Sequence, residues 1–454
     1  MTKSIDPVLK EIASMFTASQ KEIYLVGGAV RDMHMGKKIH DWDLATDALP
    51  EEVMAIVRRA GGKVIPTGIK HGTVTVLYKN NSAEVTTFRT ESDYSDGRRP
   101  DNVSYAATIE EDLSRRDFTM NAIAMRLPDG KIADPFGGAK DIKKELIRCV
   151  GEPQERFNED GLRPLRAVRF ASQLGFIIEQ KTLDAIPLVL PVCEKVSWER
   201  VRDEIDKILA SSLPSQGIRL MEETGLLKLF IPELDNCRGI DQKGFHQFDV
   251  LDHSLLACDY AAANNFSYEV RLAALFHDIG KPDVRDIDET GVYTFYRHEE
   301  VSAEMCRTIM NRMRYPNIVI DKTCHLVKQH MFLYTDEWSD SAVRRFIARI
   351  GEDNLEDIYR LRRADIYGFS GKKPDYRSIE KLVERVNKVL EKGNAFSIKN
   401  LAVSGNDLMA IGIPGGKMIG VILKQLLETV LDDPTQNTRE RLLEIAGKLF
   451  EERK

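Results

Sequence analysis

The chain has 454 residues, 43% hydrophobic and 30% charged, enough for about three globular domains with real cores. Its net charge of -6 excludes a global basic field, so any nucleic-acid contact must come from local patches. The six scattered cysteines (Cys149, Cys193, Cys237, Cys258, Cys306, Cys324) form no C-x-x-C pair, MTKSIDPVLKEIASMF is too polar for a signal peptide, and no apolar run reaches the ~20 residues of a membrane span. That leaves a cytoplasmic protein without a disulfide framework or zinc knuckle.

Residues 5–17 read as an amphipathic helix, and Tyr24–Val26 as a short apolar strand. Gly27 and Gly28 follow, where a missing Cβ allows a tight turn and close approach to a ligand. A helix after the turn would aim free N–H groups at an anion, and Arg31 adds a fork of donors suited to phosphate. Asp41 and Asp43, at i and i+2 on a strand, point to one face roughly 6–7 Å apart, with Trp42 and Leu44 on the other. Two carboxylates beside a phosphate-binding turn suit Mg²⁺ held together with substrate phosphates.

Residues 49–62 read as a helix with Pro50 near its start, and KVIPTG, TVTVLYK and SAEVTTFR as strands. Glu84, in the last of these, offers a third carboxylate from a neighbouring strand. Residues 91–105 form a polar loop carrying Arg98 and Arg99. DLSRRDFTMNAIAM (112–125) opens on Asp112, a candidate helix cap, and DPFGGAKDI (134–142) is a structural turn.

The string GGAVRD…DWDLAT resembles the opening signature of the nucleotidyltransferase superfamily, in its class II tRNA nucleotidyltransferase and bacterial poly(A) polymerase branch. The resemblance implies Asp41, Asp43 and Glu84 as the catalytic carboxylates, and Gly28, Arg31 and Arg116 as triphosphate ligands, with Asp117 and Asn121 beside them. It also matches residues 91–105 to the flexible loop of CCA-adding enzymes, which favours a member that adds A as well as C.

ERFNEDGLRPLRAVRFASQLGF (155–176) places Glu159, Asp160, Arg163, Arg166 and Arg169 along one broad helix face, with Leu165, Val168, Phe170 and Leu174 seating it on the core. A carboxylate accepts from the exocyclic amine of C or A, and a guanidinium donates to the adjacent ring nitrogen. U and G present a carbonyl oxygen to the carboxylate instead. A fixed Asp160–Arg163 pair therefore selects C and A without a template, at roughly 1–3 kcal/mol per good bidentate contact. The family's E-D-x-x-R motif implies this use, and implies that Arg166 and Arg169 also contact nucleotide. Gly161 and Pro164 are poor interior helix residues, so the helix is expected to begin near Asp160. Residues 196–209 form an amphipathic helix; its Glu199, Arg200 and Glu204 resemble the family's last motif and are assigned no chemistry.

Six of the nine histidines fall between 246 and 330. The strings LDHSLLACDYAA, RLAALFHDIGKPDV, FYRHEEVSAEM, LVKQHMFL and LRRADIYGF resemble the HD phosphohydrolase superfamily. That resemblance implies His253, His277, Asp278 and Asp365 as metal ligands, and His298 and His330 as ligands of a second metal. Imidazole with carboxylate suits a divalent transition metal, which activates water for attack on phosphorus, while Lys281 stabilises developing charge. In the tail, RRFIARI (344–350) and IYRLRRAD (358–365) carry basic faces that suit either RNA phosphates or plain solvent. Residues 376–392 read as a charged helix, and 404–434 resembles the nucleotidyltransferase family's C-terminal segment, which implies a turn feeding a helix that meets tRNA.

The fold class expected is an α+β nucleotidyltransferase head with a mixed sheet and helices (1–150). A mostly helical base-recognition neck (151–215), an HD body (216–370) and an RNA-binding tail (371–454) follow. The expected function is CCA addition to the tRNA 3′ end from CTP and ATP with Mg²⁺, plus an HD phosphohydrolase activity. A poly(A) polymerase, an A-only or a CC-only enzyme shares every catalytic motif. An HD phosphohydrolase with an inactive RNA-binding head is the alternative of another class.

Overall fold

The computed structural model describes all residues except 1–4, 40, 70–71, 93–101, 243–246, 373, 394 and 454. Arg98 and Arg99 therefore lie outside the described residues. The chain divides into two compact units, 1–235 and 236–454.

The first unit begins with α1 (Pro7–Ala18), β1 (Ile23–Val26), α2 (Gly28–His34), β2 (Trp42–Thr46), α3 (Pro50–Arg59), β3 (Lys63–Gly68), β4 (Thr73–Tyr78) and β5 (Asn81–Thr87). After these come β6 (Arg89–Ser92), β7 (Asn102–Tyr105), α4 (Ile109–Ser114), β8 (Ala124–Leu127), β9 (Ile132–Ala133) and α5 (Gly138–Lys143). A seven-stranded mixed sheet runs β3-β4-β5-β2-β1-β8-β9, in which β2 and β5 are parallel. β1 is buried along its whole length, as a central strand covered on both faces must be. β2 is exposed where it begins and buried from Leu44 onwards, so Asp43 stands at its open end. Tyr24, Val26, Ala45, Phe88, Leu113 and Ala124 pack a core beneath it. Asp112 is no cap: Thr108 caps α4, and Asp112 is buried one turn inside.

The neck follows as β10 (Leu146–Ile147), α6 (Pro153–Glu159), α7 (Arg163–Leu174), β11 (Ile177–Ile178), α8 (Gln180–Asp184), α9 (Leu190–Cys193), α10 (Trp198–Leu209), α11 (Pro214–Glu223), α12 (Leu226–Phe230) and α13 (Pro232–Asp235). The single helix face expected over 155–176 is two helices. α6 ends at Glu159, Asp160 is extended (φ -144, ψ 109), and α7 starts at Arg163 with Pro164 in its first turn. Proline lacks the N–H that a first turn leaves orphaned anyway, so it starts α7 where it would break a continuous helix. Asp160 and Arg163 thus do not share a helix face; the carboxylate projects from the link between two helices.

The second unit is helical: α14 (Val250–Ala263), α15 (Tyr268–Phe276), α16 (Lys281–Val284), α17 (His298–Arg312), α18 (Asn317–Gln329), α19 (Asp340–Ile350), α20 (Leu355–Gly368) and α21 (Arg377–Leu390). A short hairpin, β12 (Asp286–Ile287) with β13 (Tyr293–Thr294), interrupts it before α17. α22 (Gly405–Ala410), α23 (Lys417–Asp432) and α24 (Arg439–Glu451) close the chain around Leu408, Ile422, Leu426 and Leu442. The basic stretch 344–350 is largely consumed internally. Arg344 is buried and donates to the Leu431 and Asp432 carbonyls at the end of α23, and Arg345 pairs with Glu428 and Asp432. All six cysteines are buried thiols, and no helix among the described residues is long and apolar enough to cross a membrane.

Candidate functional site

A cavity of about 480 Å³ in the first unit is lined by the glycine turn, Asp43, the head segment 115–121 and the neck. Gly27 adopts φ 68, in the region that favours glycine, and an added Cβ would sit 2.9 Å from Arg116 Nη1. The turn therefore brings backbone directly under a guanidinium. Seven arginines (Arg31, Arg115, Arg116, Arg163, Arg166, Arg169, Arg200) and three aspartates (Asp43, Asp117, Asp160) line the cavity. That excess of fixed positive charge suits a polyphosphate.

Buried carboxylates hold the arginines in place. Asp112 accepts from Arg115 at 2.8 Å and Arg116 at 3.2 Å. Asp117 accepts from Arg166 Nε at 2.8 Å, Arg166 Nη2 at 2.6 Å and Asn121 Nδ2 at 3.2 Å. Asn121 Oδ1 in turn accepts from Arg31 at 3.0 Å. Burial alone would raise the Asp117 pKa, but the Arg166 fork and the Asn121 amide hold it far below the usual carboxylate range.

Asp43 is paired in register with Glu84 across the parallel β2–β5 ladder. Partial desolvation raises its pKa, Arg116 opposes that, and the like charge of Asp41 adds to it. A partly desolvated carboxylate beside a second like charge is a donor set that a divalent cation relieves. Asp41 precedes β2 and lines a separate groove with Lys37, Lys38 and Trp42. The cavity thus gathers Gly28, Arg31, Asp43, Arg116, Asp160, Arg163, Arg166 and Arg169, while Asp41 and Glu84 stand beside Asp43 outside its lining.

The base-reading pair is arranged differently from the expectation. Arg163 donates to the Arg156 carbonyl at 2.7 Å, the Arg115 carbonyl at 3.0 Å and Glu159. The fork on Asp160 comes from Arg200, with Nη1 to Oδ1 at 3.1 Å and Nη2 to Oδ2 at 2.7 Å. Arg169 forms a buried ion pair with Glu204 at 2.8 Å.

In the second unit, His253 (α14), His277 and Asp278 (end of α15), His298 (start of α17), His330 (end of α18) and Asp365 (α20) are all buried and converge. His253 Nε2 and His277 Nε2 are 3.0 Å apart, and both lie 3.3 Å from Asp278 Oδ2. Asp365 Oδ1 is 3.2 Å from His253 and 3.4 Å from His277. The other Asp278 oxygen, Oδ1, lies 3.2 Å from His298 Nε2 and 3.7 Å from His330 Nε2. Nδ1 of His277, His298 and His330 lies 2.9, 2.8 and 2.7 Å from the carbonyls of Ala274, Phe295 and Val327. An Nδ1–H donated to each carbonyl leaves the Nε2 lone pairs facing inward, the tautomer a metal ligand needs. Lys281 Nζ reaches Asp278 Oδ2 at 2.6 Å and Gln242 at 2.5 Å.

Three family models match the chain: the poly A polymerase head domain over residues 23–148, the probable RNA and SrmB-binding site of polymerase A over 175–238, and tRNA nucleotidyltransferase domain 2 (putative) over 289–446. The CCA-adding enzyme of Enterococcus faecalis is 33% identical over 98% of this chain and 96% of its own length. That of Geobacillus stearothermophilus is 35% identical over 93% of this chain and 91% of its own length. The crystal structure of the Bacillus stearothermophilus CCA-adding enzyme in complex with CTP aligns with a TM-score of 0.72 at 30% identity, over 99% of both chains. The chain belongs to the CCA-adding enzyme family. It is a nucleotidyltransferase with an α+β head and a mostly helical remainder.

Within this member of the CCA-adding family, four cavity residues, Arg115, Leu162, Phe170 and Arg200, had no part in the site as read from the sequence. Arg115 was hidden by its neighbour in the RRDFT string. Phe170 is buried as its spacing demands, yet its ring also walls the cavity and carries the Arg31, Arg166 and Arg169 guanidiniums at 5.2, 5.5 and 3.6 Å. Arg200 matches the family's last motif, yet nothing local assigns it a role, because its partner Asp160 is 40 residues away.

Proposed function

We propose that this chain adds CMP and AMP to the 3′ end of tRNA from CTP and ATP, completing the CCA terminus. The observation that carries this reading is one cavity holding a glycine turn, a carboxylate strand end, a ring of arginines and Asp160 beside Arg163. In the reaction the RNA 3′ oxygen attacks the α-phosphorus, its bond to the nucleotide forms, and the bond to pyrophosphate breaks. Asp41 and Asp43, with Glu84 beside them, would hold Mg²⁺. When bound, Mg²⁺ supplies charge stabilisation to the attacking and leaving oxygens. Arg31 and Arg116, fixed by Asn121 and Asp112, hold the triphosphate over Gly28 and gain strength as charge shifts to pyrophosphate. Asp160 accepts from the exocyclic amine of C or A, Arg163 faces the adjacent ring nitrogen, and Arg166 and Arg169 close the nucleotide's side of the cavity.

We assign the domain roles as a catalytic head over 1–150, a base-recognition neck over 151–215, an HD body over 216–370 and an RNA-binding tail over 371–454, acting in the cytoplasm. Purified protein is given tRNA lacking one, two or three terminal nucleotides, with labelled CTP and ATP. Completion of all three to CCA supports the reading. Growth of an A tail points to a poly(A) polymerase; extension of only one class of end points to an A-only or CC-only enzyme.

A second activity is favoured by the buried histidine–aspartate cluster. Two sets, His253–His277–Asp365 and His277–Asp278–His330, each bring their ligand atoms within 4.8 Å of one another. His298, also on Asp278, completes the side nearer His330. These donors suit a divalent transition metal, which would supply Lewis-acid polarisation of a phosphoryl group. Lys281 would meet the phosphate charge. The reading is a phosphohydrolase acting on 2′,3′-cyclic or 3′-phosphate RNA ends, which leaves the 3′ hydroxyl that nucleotide addition requires. Loss of phosphate release from such ends in Asp278→Ala, with wild-type release in Asp43→Ala, would support it; no release by the wild-type protein with any divalent metal would refute it.

A further inference from the structure

Base selection by Asp160 requires a carboxylate held in one orientation, and its own backbone does not provide that. The residue lies in the extended link between α6 and α7, outside either helix. Its side chain is held from α10 instead. Arg200 Nη1 donates to Oδ1 at 3.1 Å and Nη2 to Oδ2 at 2.7 Å. The Leu162 N–H donates to Oδ1 at 3.0 Å. A carboxylate offers about four lone-pair sites, two on each oxygen. Oδ1 therefore has both sites used, and Oδ2 keeps one.

We propose that Arg200 is a specificity-determining positioning residue: its fork leaves Asp160 Oδ2 as the one acceptor presented to the base. This rests on the reading of Asp160 as the base-reading carboxylate. Asp160, Arg163 and Arg200 line the same cavity. A single remaining acceptor fits the single exocyclic amine of C or A, and it repels the carbonyl oxygen that U or G brings to that position. The fork also fixes the side-chain torsions of Asp160, as a planar guanidinium does and an ammonium does not. Without Arg200, the carboxylate is drawn towards the other guanidiniums of the cavity, Arg163 and Arg166, and its acceptor turns away from the base.

The same α10 holds Arg169 through Glu204 at 2.8 Å, so one helix fastens both ends of the readout surface. The neck motif thus bears on which nucleotide is chosen, and not on folding alone.

The test measures kcat/KM for CTP against UTP and for ATP against GTP on tRNA substrates, with Tm as a control. Arg200→Met should lower both ratios by roughly tenfold or more, the size of a lost bidentate contact. Arg200→Lys, which keeps the charge without the fork, should fall between Met and wild type. Asp160→Ala should lower the ratios, and adding Arg200→Met to it should lower them no further. A structural role alone would depress all four nucleotides equally and leave the ratios at their wild-type values. Unchanged ratios in Arg200→Met and Arg200→Lys while Asp160→Ala loosens selection would overturn the proposal and spare the base-reading claim. Unchanged ratios in Asp160→Ala itself would overturn both.

Discussion

Gly161→Ala probes the turn that presents Asp160. A Cβ on Gly161 would lie 2.4 Å from the Val192 carbonyl oxygen, 2.7 Å from its carbon and 3.0 Å from Cys193 Cα. Ordinary carbon contacts begin at about 3.5 Å, so the overlap approaches about 1 Å. All three atoms are backbone of α9, and no side chain can rotate away to make room. The turn itself must therefore move outward, carrying Asp160 with it. An overlap this large puts the overpacking cost towards the upper end of about 1–3 kcal/mol, and the stiffer unfolded chain offsets about 0.4–1 kcal/mol of it. In a unit of this size each kcal/mol shifts Tm by roughly 2–4 °C, so a net loss near 2 kcal/mol predicts a fall of roughly 4–8 °C. Calorimetry measures the shift, and kcat/KM for CTP against UTP on a tRNA lacking its terminus measures the effect on Asp160. Both should fall. An unchanged Tm would refute the packing argument; a lowered Tm with an unchanged ratio would refute the link from this turn to base selection.

Asp41→Ala and Asp43→Ala should abolish nucleotide addition and spare release of phosphate from RNA ends, and equal loss of both activities would count against two separate sites. Asp278→Ala should lower the metal content measured on the purified protein while CMP addition stays at the wild-type rate; metal retention at the wild-type level would contradict the ligand set. Glu204→Ala leaves Arg169 buried without its partner, a loss of about 3–5 kcal/mol visible as a large fall in Tm, and a fall of under 2 °C would contradict that. Asp117 has a folded-state pKa depressed below its unfolded value. Its stabilisation is therefore complete above the unfolded carboxylate range near pH ~4 and is lost as pH falls towards the depressed value. Asp117→Asn should lower Tm at pH 7 with a gap from wild type that narrows below about pH 4, and a gap constant from pH 7 to 3 would contradict the assignment.

The head was legible because its signals are local. Glycines at 27 and 28 between an apolar strand and a short helix are read within a dozen residues, whereas the expected alternation of Asp41 and Asp43 along one strand is not met, because Asp41 precedes β2 and the strand is buried from Leu44 onwards. Asp112 misled because a charged residue at the start of a helical run looks like a cap, whereas its burial, with the Arg89 N–H donating to Oδ1, is a tertiary fact. The break at Asp160 was half visible: Gly161 and Pro164 marked it, but the arginines spaced at three carried the helical pattern across it. The partner of Asp160 was not legible, since Arg200 arrives on another helix and no periodicity links them. The histidine cluster could be located from its His277-Asp278 pair, while the sharing of Asp278 between two groups of imidazoles emerges only when α15, α17 and α18 meet.

The central claim is that the arginine-lined cavity beside Asp43 performs nucleotidyl transfer, and Asp43→Ala tests it most directly. Labelled CMP incorporation into tRNA lacking its terminus should drop to background while the Tm stays within a few degrees of wild type. Incorporation at the wild-type rate by that variant would place the chemistry elsewhere in the chain and contradict the account.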